Sequence, residues 1–436
     1  MHIADLQTAS DPNTQLNSLD SILKLSPQIL VPYKKNARKH SKKQISQIAK
    51  SIEEFGFTNP VLIDSKNSIL AGHGRVEAAK QLKLETVPCL YVEHLSEEQK
   101  RAYILADNKI ALNSTWDEDL LSEELKALSE IDLGFDIETT GFSIAEIDLL
   151  IDGAEPEEDH DPEDDILPIT VEKRVQPGDI WQLGNHRIVC GDSLDQNTIS
   201  HLMDGHHARM IFTDPPYNVK IDGHVGGKGN IKHSEFAMAS GEMSQSEFTE
   251  FLKRTFENLA HFAVDGSIHF ICMDWRHMRE VMEAADGIYA ELKNLITWVK
   301  DNGGMGTFYR SRHELIFAYK LGTAEHINSF ELGQHGRYRT NVWEYRSANI
   351  EELKMHPTVK PVQMIADAIK DVSGRNGIVL DLFGGSGSTL IAAEKTGRHA
   401  RLCEIDPHYC DIILTRWEHY AKDDAILLSR LSVEGE

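Results

Sequence analysis

Asp214, Pro215, Pro216 and Tyr217 follow directly on an apolar run, residues 208–213, that is typical of a buried strand. Two consecutive prolines cannot continue a sheet ladder, so the strand must end here. We expect the prolines to fix the chain so that the Asp214 carboxylate, the Pro215 carbonyl and the Tyr217 ring face one point. An amine held there would meet two hydrogen-bond acceptors and an aromatic face, which suits chemistry on an amino group.

A second apolar run, residues 378–382, leads into Gly384, Gly385 and Gly387 and then into a helical pattern over residues 390–395. Glycine permits a positive φ and lets a ligand lie close to the backbone. The N–H groups at a helix start can hold a carboxylate or a phosphate. Strand, glycine turn and helix together predict the start of a Rossmann-like unit. Taken alone, the stretch also fits a tight connection that binds nothing.

The strand predicted next, residues 399–405, ends near two acids, Glu404 and Asp406. Glu404 lies 23 positions after Asp381, the last acid before the glycine turn. This spacing suits an acid that binds ribose hydroxyls in a Rossmann-like fold.

These motifs resemble those of the DNA amino-methyltransferases that use S-adenosylmethionine. Residues 214–217 resemble the catalytic motif of that family, and residues 383–388 resemble its cofactor loop. The catalytic motif comes first, as in the circularly permuted β group, whose third signature is similar to residues 356–361. The resemblance covers about residues 174–428 and implies an α/β fold with a Rossmann-like methyltransferase domain.

The resemblance also implies a cofactor, S-adenosyl-L-methionine, and residues that bind it. Asp192 matches the position that receives the adenine amine of the cofactor, and its alternative role is to cap a helix predicted over residues 196–203. No metal is needed, and no cluster of metal ligands is apparent. The implied cofactor residues are Asp192, His356, Thr358, Lys360, Asp381, Phe383, Gly384, Gly385, Ser386, Gly387, Ser388, Glu404 and Asp406.

The implied reaction is site-specific methylation of the adenine N6 amine in double-stranded DNA, as in restriction-modification systems. The target base would leave the duplex and stack on Tyr217. Aspartate at position 214 favours adenine, because N4-cytosine enzymes of this family more often carry serine there. Three alternatives stay open: an N4-cytosine enzyme, a small-molecule methyltransferase, and a ParB-like DNA-binding regulator with a non-catalytic methyltransferase fold.

Three stretches combine basic residues with glycines or aromatic residues and therefore predict DNA contacts: 218–235, 300–314 and 322–355. By position, the third is the target-recognition segment. An ordinary loop is the alternative for the first, and Trp343 and Tyr345 could instead belong to the core. The predicted DNA-binding residues are Lys220, Lys228, Lys300, Arg310, Arg312, Arg337 and Arg339.

The N-terminal part, residues 18–112, predicts a smaller α+β domain and resembles the ParB/sulfiredoxin-like domain. Asn36-Ala37-Arg38 resembles the first box of that domain, and the second is represented by Gly72, His73, Gly74 and Arg75. An arginine at a helix start suits nucleotide phosphates. ParB relatives carry an acid where this chain has His73 and Gly74, and the cysteine of sulfiredoxins is absent, which excludes peroxiredoxin repair. The alternative is a plain turn, with Arg75 paired to a surface acid.

The net charge of −24 is distributed unevenly. Residues 111–170 contain 20 acidic residues and one basic residue, whereas residues 1–110 carry a small basic excess. We predict a helical extension over 113–152, an acidic linker over 153–172 that charge repulsion keeps extended, and the methyltransferase domain over 173–430. The overall charge argues against broad, non-specific coating of DNA.

The absence of a long apolar run, of a signal-like N-terminus and of any C-x-x-C pair predicts a cytoplasmic protein without membrane contact. The oligomeric state is left open, with a homodimer among the alternatives. A nucleotide bound by the N-terminal domain is a further partner that the sequence leaves open.

Overall fold

The structure is a computed structural model that describes residues 22–131, 135–152, 173–218, 242–300, 309–329, 339–346 and 359–431. The chain divides into two units, Met1–Ile151 and Asp152–Glu436. His356, Thr358, Lys220, Lys228, Arg337 and the predicted acidic linker lie outside the described residues.

The N-terminal unit contains a four-stranded sheet whose strands lie in the order β1, β4, β2, β3. β2 and β4 are parallel, and the outer strands pair antiparallel with them. Apolar residues on its strands and on the helix His73–Gln81 form the core of this unit. The strands are β1 (Leu23–Leu25), β2 (Val61–Ile63), β3 (Ile69–Ala71) and β4 (Val87–Tyr91).

The helices of this unit begin where capping residues occur. The Ser41 hydroxyl accepts a hydrogen bond from the N–H of Gln44, and Ser96 and Gln99 form a reciprocal capping box. The helix His73–Gln81 begins directly after Gly72, which adopts a left-handed conformation that glycine accommodates. The helices are α1 (Lys42–Phe55), α2 (His73–Gln81), α3 (Glu97–Ile110), α4 (Glu118–Glu130) and α5 (Ile144–Asp152).

The second unit is built on a ten-stranded sheet with the order β11-β9-β10-β8-β7-β12-β13-β6-β5-β14. Five neighbouring strands, β8, β7, β12, β13 and β6, run parallel. The strands are β5 (Asp179–Leu183), β6 (His186–Cys190), β7 (Ala208–Thr213), β8 (Ala263–Met273), β9 (Glu291–Val299), β10 (His313–Lys320), β11 (Val342–Glu344), β12 (Ile378–Asp381), β13 (His399–Glu404) and β14 (Ile426–Arg430).

Helices cover both faces of this sheet, and the strand residues alternate between two apolar cores. On β7, Met210 and Phe212 belong to one core, whereas Ala208 and Ile211 belong to the other. This α/β architecture confirms the predicted fold class. The helices are α6 (Gln196–Met203), α7 (Gln245–His261), α8 (Met278–Ala285), α9 (Val362–Val372), α10 (Ser388–Lys395) and α11 (Pro407–Ala421).

The strand order reverses direction between β7 and β12. From β7 the chain passes through α7 to β8 on one side, and from β12 it passes through α10 to β13 on the other. In open α/β sheets, ligands bind outside the carboxyl ends of the strands at such a switch point. The two sequence motifs that could do chemistry follow these two strands. Within the described parts of the chain, no helix is both long enough and apolar enough to cross a membrane.

Candidate active site

Acidic residues lie at or just after the carboxyl ends of four parallel strands, along one edge of the large sheet. β7 is followed by Asp214, β12 ends at Asp381, β13 ends at Glu404, and β6 is followed by Asp192. Because β6, β13, β12 and β7 are consecutive and parallel, their carboxyl ends lie along the same edge. The structure therefore brings the predicted catalytic motif and the predicted cofactor turn together.

Asp381 joins the two central strand ends. Its carboxylate accepts hydrogen bonds from the Thr213 hydroxyl at 2.9 Å, from the Thr389 hydroxyl at 2.7 Å and from the N–H of Phe383 at 3.0 Å. Burial raises the pKa of Asp381 to about 7. Thr213 ends β7 and Thr389 lies in the first turn of α10, so Asp381 ties the predicted catalytic motif to the glycine turn. Sequence reasoning missed both threonines.

The glycine turn requires backbone conformations that other residues adopt only under strain. Gly385 has a φ of +52° and Gly387 a φ of +86°. A Cβ built on Gly387 would lie 3.1 Å from Ile413, and one on Gly384 would lie 3.2 Å from the same side chain. The glycines therefore allow the turn to pack on α11.

Hydrogen bonds from a side chain and from the backbone hold this turn in place. The Arg416 guanidinium donates to the Ser386 carbonyl at 3.1 Å and contacts the Ser388 hydroxyl at 3.3 Å. The N–H of Gly384 donates to the carbonyl of Cys403 on the neighbouring strand at 2.9 Å. These contacts hold a shallow backbone cradle at the sheet edge, and Arg416 is a further residue that the sequence did not single out.

Glu404 contacts the glycine turn directly. One carboxylate oxygen accepts the N–H of Gly385 at 2.8 Å, and the other accepts the N–H of Asp406 at 2.9 Å. Burial raises the pKa of Glu404 to about 7. The acid thus lies beside the turn, as its spacing predicts, and its role toward ribose hydroxyls stays a prediction.

Asp406 and Asp192 also lie at this edge, and local backbone groups already engage both. The Asp406 carboxylate accepts the N–H of His408 and caps α11. The Asp192 carboxylate accepts the N–H of Leu194 at 2.8 Å. Asp195, not Asp192, caps α6, so the helix-cap alternative for Asp192 is wrong.

The catalytic motif is part of a cluster of charged side chains. The Tyr217 hydroxyl lies 2.7 Å from Asp214 and 3.1 Å from Glu314, and it can donate to either carboxylate. The Lys360 ammonium contacts Asp214, lies 3.2 Å from Glu314 and lies 3.3 Å from the Tyr217 hydroxyl. Lys300 pairs with Glu314.

This arrangement gives two predicted site residues partners within the chain. The Lys360 ammonium lies on the carboxylates of Asp214 and Glu314, and its role toward the cofactor stays a prediction. Lys300 is paired with Glu314, 4.7 Å from the centre of the Trp298 ring, and its contact with DNA stays a prediction. Both pairings have one cause, since a buried carboxylate needs a cation nearby. Sequence reasoning did not single out Glu314.

The pKa values of the two carboxylates in this cluster, Glu314 and Asp214, are shifted in opposite directions. Burial would raise the pKa of Glu314, but Lys360 and Lys300 outweigh burial and lower it to about 2. Burial raises the pKa of Asp214, and Lys360 offsets only part of the rise. Asp214 is thus the acid of the pair that takes up a proton more readily.

The remaining predicted DNA-binding residues differ in exposure. Arg310 and Arg312 are exposed, and Arg312 also donates to the Lys300 carbonyl at 2.7 Å. Arg339 pairs at 3.0 Å with both Asp367 and Asp371 of α9. Its charge therefore stabilises the packing of the chain on α9, and a contact between Arg339 and DNA stays a prediction.

The aromatic neighbours of Arg339 belong to the same packing. Trp343 is 5% exposed and lies in the core, as the alternative prediction held. The Arg339 guanidinium lies 4.5 Å from its ring, and the Tyr345 hydroxyl donates to Asp367. Residues 339–346, the described end of the predicted target-recognition segment, therefore pack on the core of the second unit.

In the N-terminal unit, Gly72 is the left-handed cap of α2, with a φ of +98°. The His73 Nε2 atom accepts the N–H of Tyr33 at 3.3 Å, and Arg75 donates to the Pro60 carbonyl at 3.3 Å. A Cβ on Gly74 would lie 2.9 Å from Ile48, so close packing on α1 requires glycine there. The nucleotide role of this loop stays a prediction.

Three family models match the chain. A model described as DNA methylase matches residues 208–415, a ParB N-terminal domain matches residues 11–109, and a ParB-methyltransferase HTH domain matches residues 119–177. Together they span the two units of the structure.

Curated relatives match each part separately. The ParB-like nuclease domain-containing protein YnaK of Escherichia coli (strain K12) is 54% identical over 74 residues, which cover 17% of this chain and 85% of that protein. The type II methyltransferase M1.MboII of Moraxella bovis is 24% identical over 51% of this chain and 92% of its own length. M.BglII of Bacillus subtilis is 25% identical over 50% of this chain and 66% of its own length.

Solved structures of DNA methyltransferases are more distant. The M1.HpyAVI–SAM complex is 20% identical, with a TM-score of 0.39, over 52% of this chain and 97% of that one. The cytosine-N4-specific PvuII DNA methyltransferase is 14% identical, with a TM-score of 0.41, over 54% of this chain and 87% of that one.

Proposed function

Because the chain belongs to the N6/N4 DNA methylases and carries a ParB-like domain on its N-terminal side, we propose that it methylates the N6 amine of adenine in double-stranded DNA, with S-adenosyl-L-methionine as the methyl donor. The observation that carries the proposal is the position of Asp214 and Tyr217 beside the glycine turn, at the switch point of the sheet.

The residues at the sheet edge fit S-adenosylmethionine. The glycine turn leads directly into α10, and the acids Asp192, Glu404 and Asp406 beside it offer acceptors for hydroxyl and amino groups. We assign the cofactor to these groups and to Phe383. When bound, the cofactor supplies an electrophilic methyl group on a positively charged sulfur.

Asp214 receives the target amine in this proposal. The adenine N6 lone pair is delocalised into the ring, so the amine is a poor nucleophile. Hydrogen bonds from its N–H groups to the Asp214 carboxylate and the Pro215 carbonyl favour a pyramidal nitrogen with an available lone pair. A nitrogen that gains a methyl group must also lose a proton, and Asp214 is the acid suited to accept it.

Tyr217 holds the base. The target must leave the duplex before its amine can reach Asp214, and an aromatic ring beside the acceptor gives the flipped base a surface for stacking. The Tyr217 hydroxyl is fixed by Asp214 and Glu314, so the ring is oriented before DNA arrives. Much of the acceleration then comes from placing the amine and the methyl group in contact.

The DNA duplex approaches from the edge that carries these loops. Arg310 and Arg312 are exposed next to β10 and suit contacts with phosphates. Such contacts position the duplex without reading its sequence, so we assign them to affinity rather than to specificity.

The proposal is tested by incubating the full chain with unmethylated duplex DNA and S-adenosylmethionine labelled on its methyl group. We expect label in acid-insoluble DNA, in proportion to protein and time, and none in RNA or in small amines. Label that appears without DNA, or no label in any DNA, contradicts the proposal.

A further inference from the structure

Glu314 stands at the junction of three elements around the active site. It is the second residue of β10, which pairs antiparallel with both β8 and β9, so it lies at the same sheet edge as Asp214. Its carboxylate contacts Lys300 at the end of β9, Lys360 just before α9, and the Tyr217 hydroxyl. The buried Glu314 carboxylate therefore contacts two lysine ammonium groups and the hydroxyl of Tyr217.

Lys360 lies between two carboxylates that differ in accessibility. The side chains of Lys360, Glu314 and Asp214 are 5%, 10% and 20% exposed, so Asp214 is the carboxylate that a substrate reaches first. The Lys360 ammonium contacts Asp214 on Oδ2, while the Tyr217 hydroxyl lies on Oδ1. In this protein without DNA, a lysine nitrogen thus occupies an acceptor that a target amine needs.

We propose that Glu314 is a positioning residue for methyl transfer, which retains the Lys360 ammonium when the target amine takes its place at Asp214. The inference rests on the proposed function and assigns Glu314 and Lys360 a part in it. Lys360 marks the amine position in the resting state and moves only far enough to give up one carboxylate. Glu314 keeps the displaced charge paired in the buried site.

The charges around Asp214 support this division of roles. Lys360, Glu314, Tyr217, Cys272 and Asp381 face it, and Lys300 acts through Glu314. Glu314 is held as an anion by two lysines, whereas burial raises the pKa of Asp214. A displaced Lys360 therefore has a permanent partner in Glu314, and Asp214 is released to bind the amine.

A purely structural ion pair makes a different prediction. If Glu314 only supported the fold, its neutral analogue would lower stability and activity together, and removal of the Lys360 charge would not restore activity. If it holds Lys360, the variant Glu314→Gln leaves Lys360 with Asp214 alone, so that the lysine competes with the target amine. Removal of the lysine charge should then relieve the competition.

The experiment measures kcat/KM for duplex DNA as a function of pH in four proteins: wild type, Glu314→Gln, Lys360→Met, and the double variant. Glu418→Gln, which alters the ion pair with Arg174, is the matched control for loss of one carboxylate. Thermal melting and cofactor calorimetry on every protein report folding and cofactor binding separately from transfer.

We expect Glu314→Gln to lower kcat/KM about 10-fold or more, and the double variant to recover at least several-fold of that loss at high pH. The acidic limb of the profile should move to lower pH in Glu314→Gln, because Asp214 loses a neighbouring negative charge. It should move to higher pH in Lys360→Met, because Asp214 loses its cation.

The inference would be overturned if the acidic limb of the pH profile stayed in place in Glu314→Gln and Lys360→Met. It would also be overturned if the double variant were no more active than Glu314→Gln. If Glu314→Gln does not fold, the pH profile of Lys360→Met still tests the inference. An acidic limb that stays in place in Lys360→Met would contradict a contact between the lysine and Asp214. Wild type and Glu418→Gln separate the two proposals: if neither methylates DNA, the proposed function fails, whereas active wild type with unmoved limbs contradicts the Glu314 inference alone.

Discussion

The backbone N–H of Gly385 donates a 2.8 Å hydrogen bond to the carboxylate of Glu404. This contact links the glycine turn after β12 to the acid that ends β13, and both groups are parts of the site assigned to the cofactor. The turn and the acid are therefore one unit, so a change in either should be felt in cofactor binding.

Gly385→Val should weaken binding of S-adenosylmethionine by at least about 10-fold. Gly385 has a φ of +52°, which a β-branched residue adopts only at a cost of roughly 1–3 kcal/mol, and the new side chain would fill space beside the bound cofactor. Isothermal titration calorimetry checks the affinity. Gly287→Val is the control, because Gly287 has a φ of +76° and no neighbour within 4 Å of a built Cβ. Equal losses in both variants would contradict the assignment.

Asp214→Ala should abolish methyl transfer, with a fall of about 100-fold or more, and leave cofactor affinity within a few-fold of wild type. In the proposed reaction Asp214 receives the amine, and the Lys360 ammonium keeps a partner in Glu314 after the change. Transfer of labelled methyl groups and calorimetry are measured on the same preparation. Near-normal turnover of the variant would show that another group receives the amine.

The two strands that carry the site were predictable, because each is an apolar run that a proline pair or a glycine turn ends. That the acids at the ends of these strands lie close together was also predictable, because the carboxyl ends of parallel strands lie along one edge of a sheet. The pairing of Lys360 with Asp214 was not predictable, since the two lie 146 positions apart and meet only through packing. The ion pairs of Arg339 were not predictable either, because its acids come from α9, which the local sequence pattern does not place.

The positions of the acidic residues in the sequence indicate that some of these ion pairs must form. Asp367 and Asp371 are four positions apart on one helix face, so they could be expected to share a cation. Glu314 follows His313 at the start of an otherwise apolar strand and therefore needs a partner once buried. What sequence cannot supply is the identity of that partner.

Wild type should lose stability relative to Glu404→Gln as pH rises from about 4 to about 7. The pKa of Glu404 is about 7 in the folded chain, above its ordinary value, so the folded state keeps a proton that the unfolded state loses. This stabilisation is present below the unfolded pKa and is lost as pH rises through the folded pKa. Its size for Glu404 is on the order of 3 kcal/mol.

The measurement is the melting temperature against pH for wild type and for Glu404→Gln, which has no proton to lose. The melting temperature of wild type minus that of the variant should fall over this interval, because Asp381, His269 and His399 titrate in both proteins and cancel in the difference. Parallel curves would mean that Glu404 is not the group that titrates.

A fragment of residues 172–436 should fold and bind S-adenosylmethionine alone. The chain divides at Ile151 and Asp152 into two units, each with its own sheet and apolar core. Thermal melting and calorimetry test the fragment against the full chain. A fragment that is insoluble, while the full chain is soluble, would contradict a separable domain.

The identity of the methylated base tests the central claim most directly. Aspartate at position 214 favours adenine, and the measurement is mass spectrometry of nucleosides from DNA treated with the full chain and S-adenosylmethionine. The account predicts N6-methyladenine that appears with wild type and is absent with Asp214→Ala. Recovery of N4-methylcytosine without N6-methyladenine would contradict it.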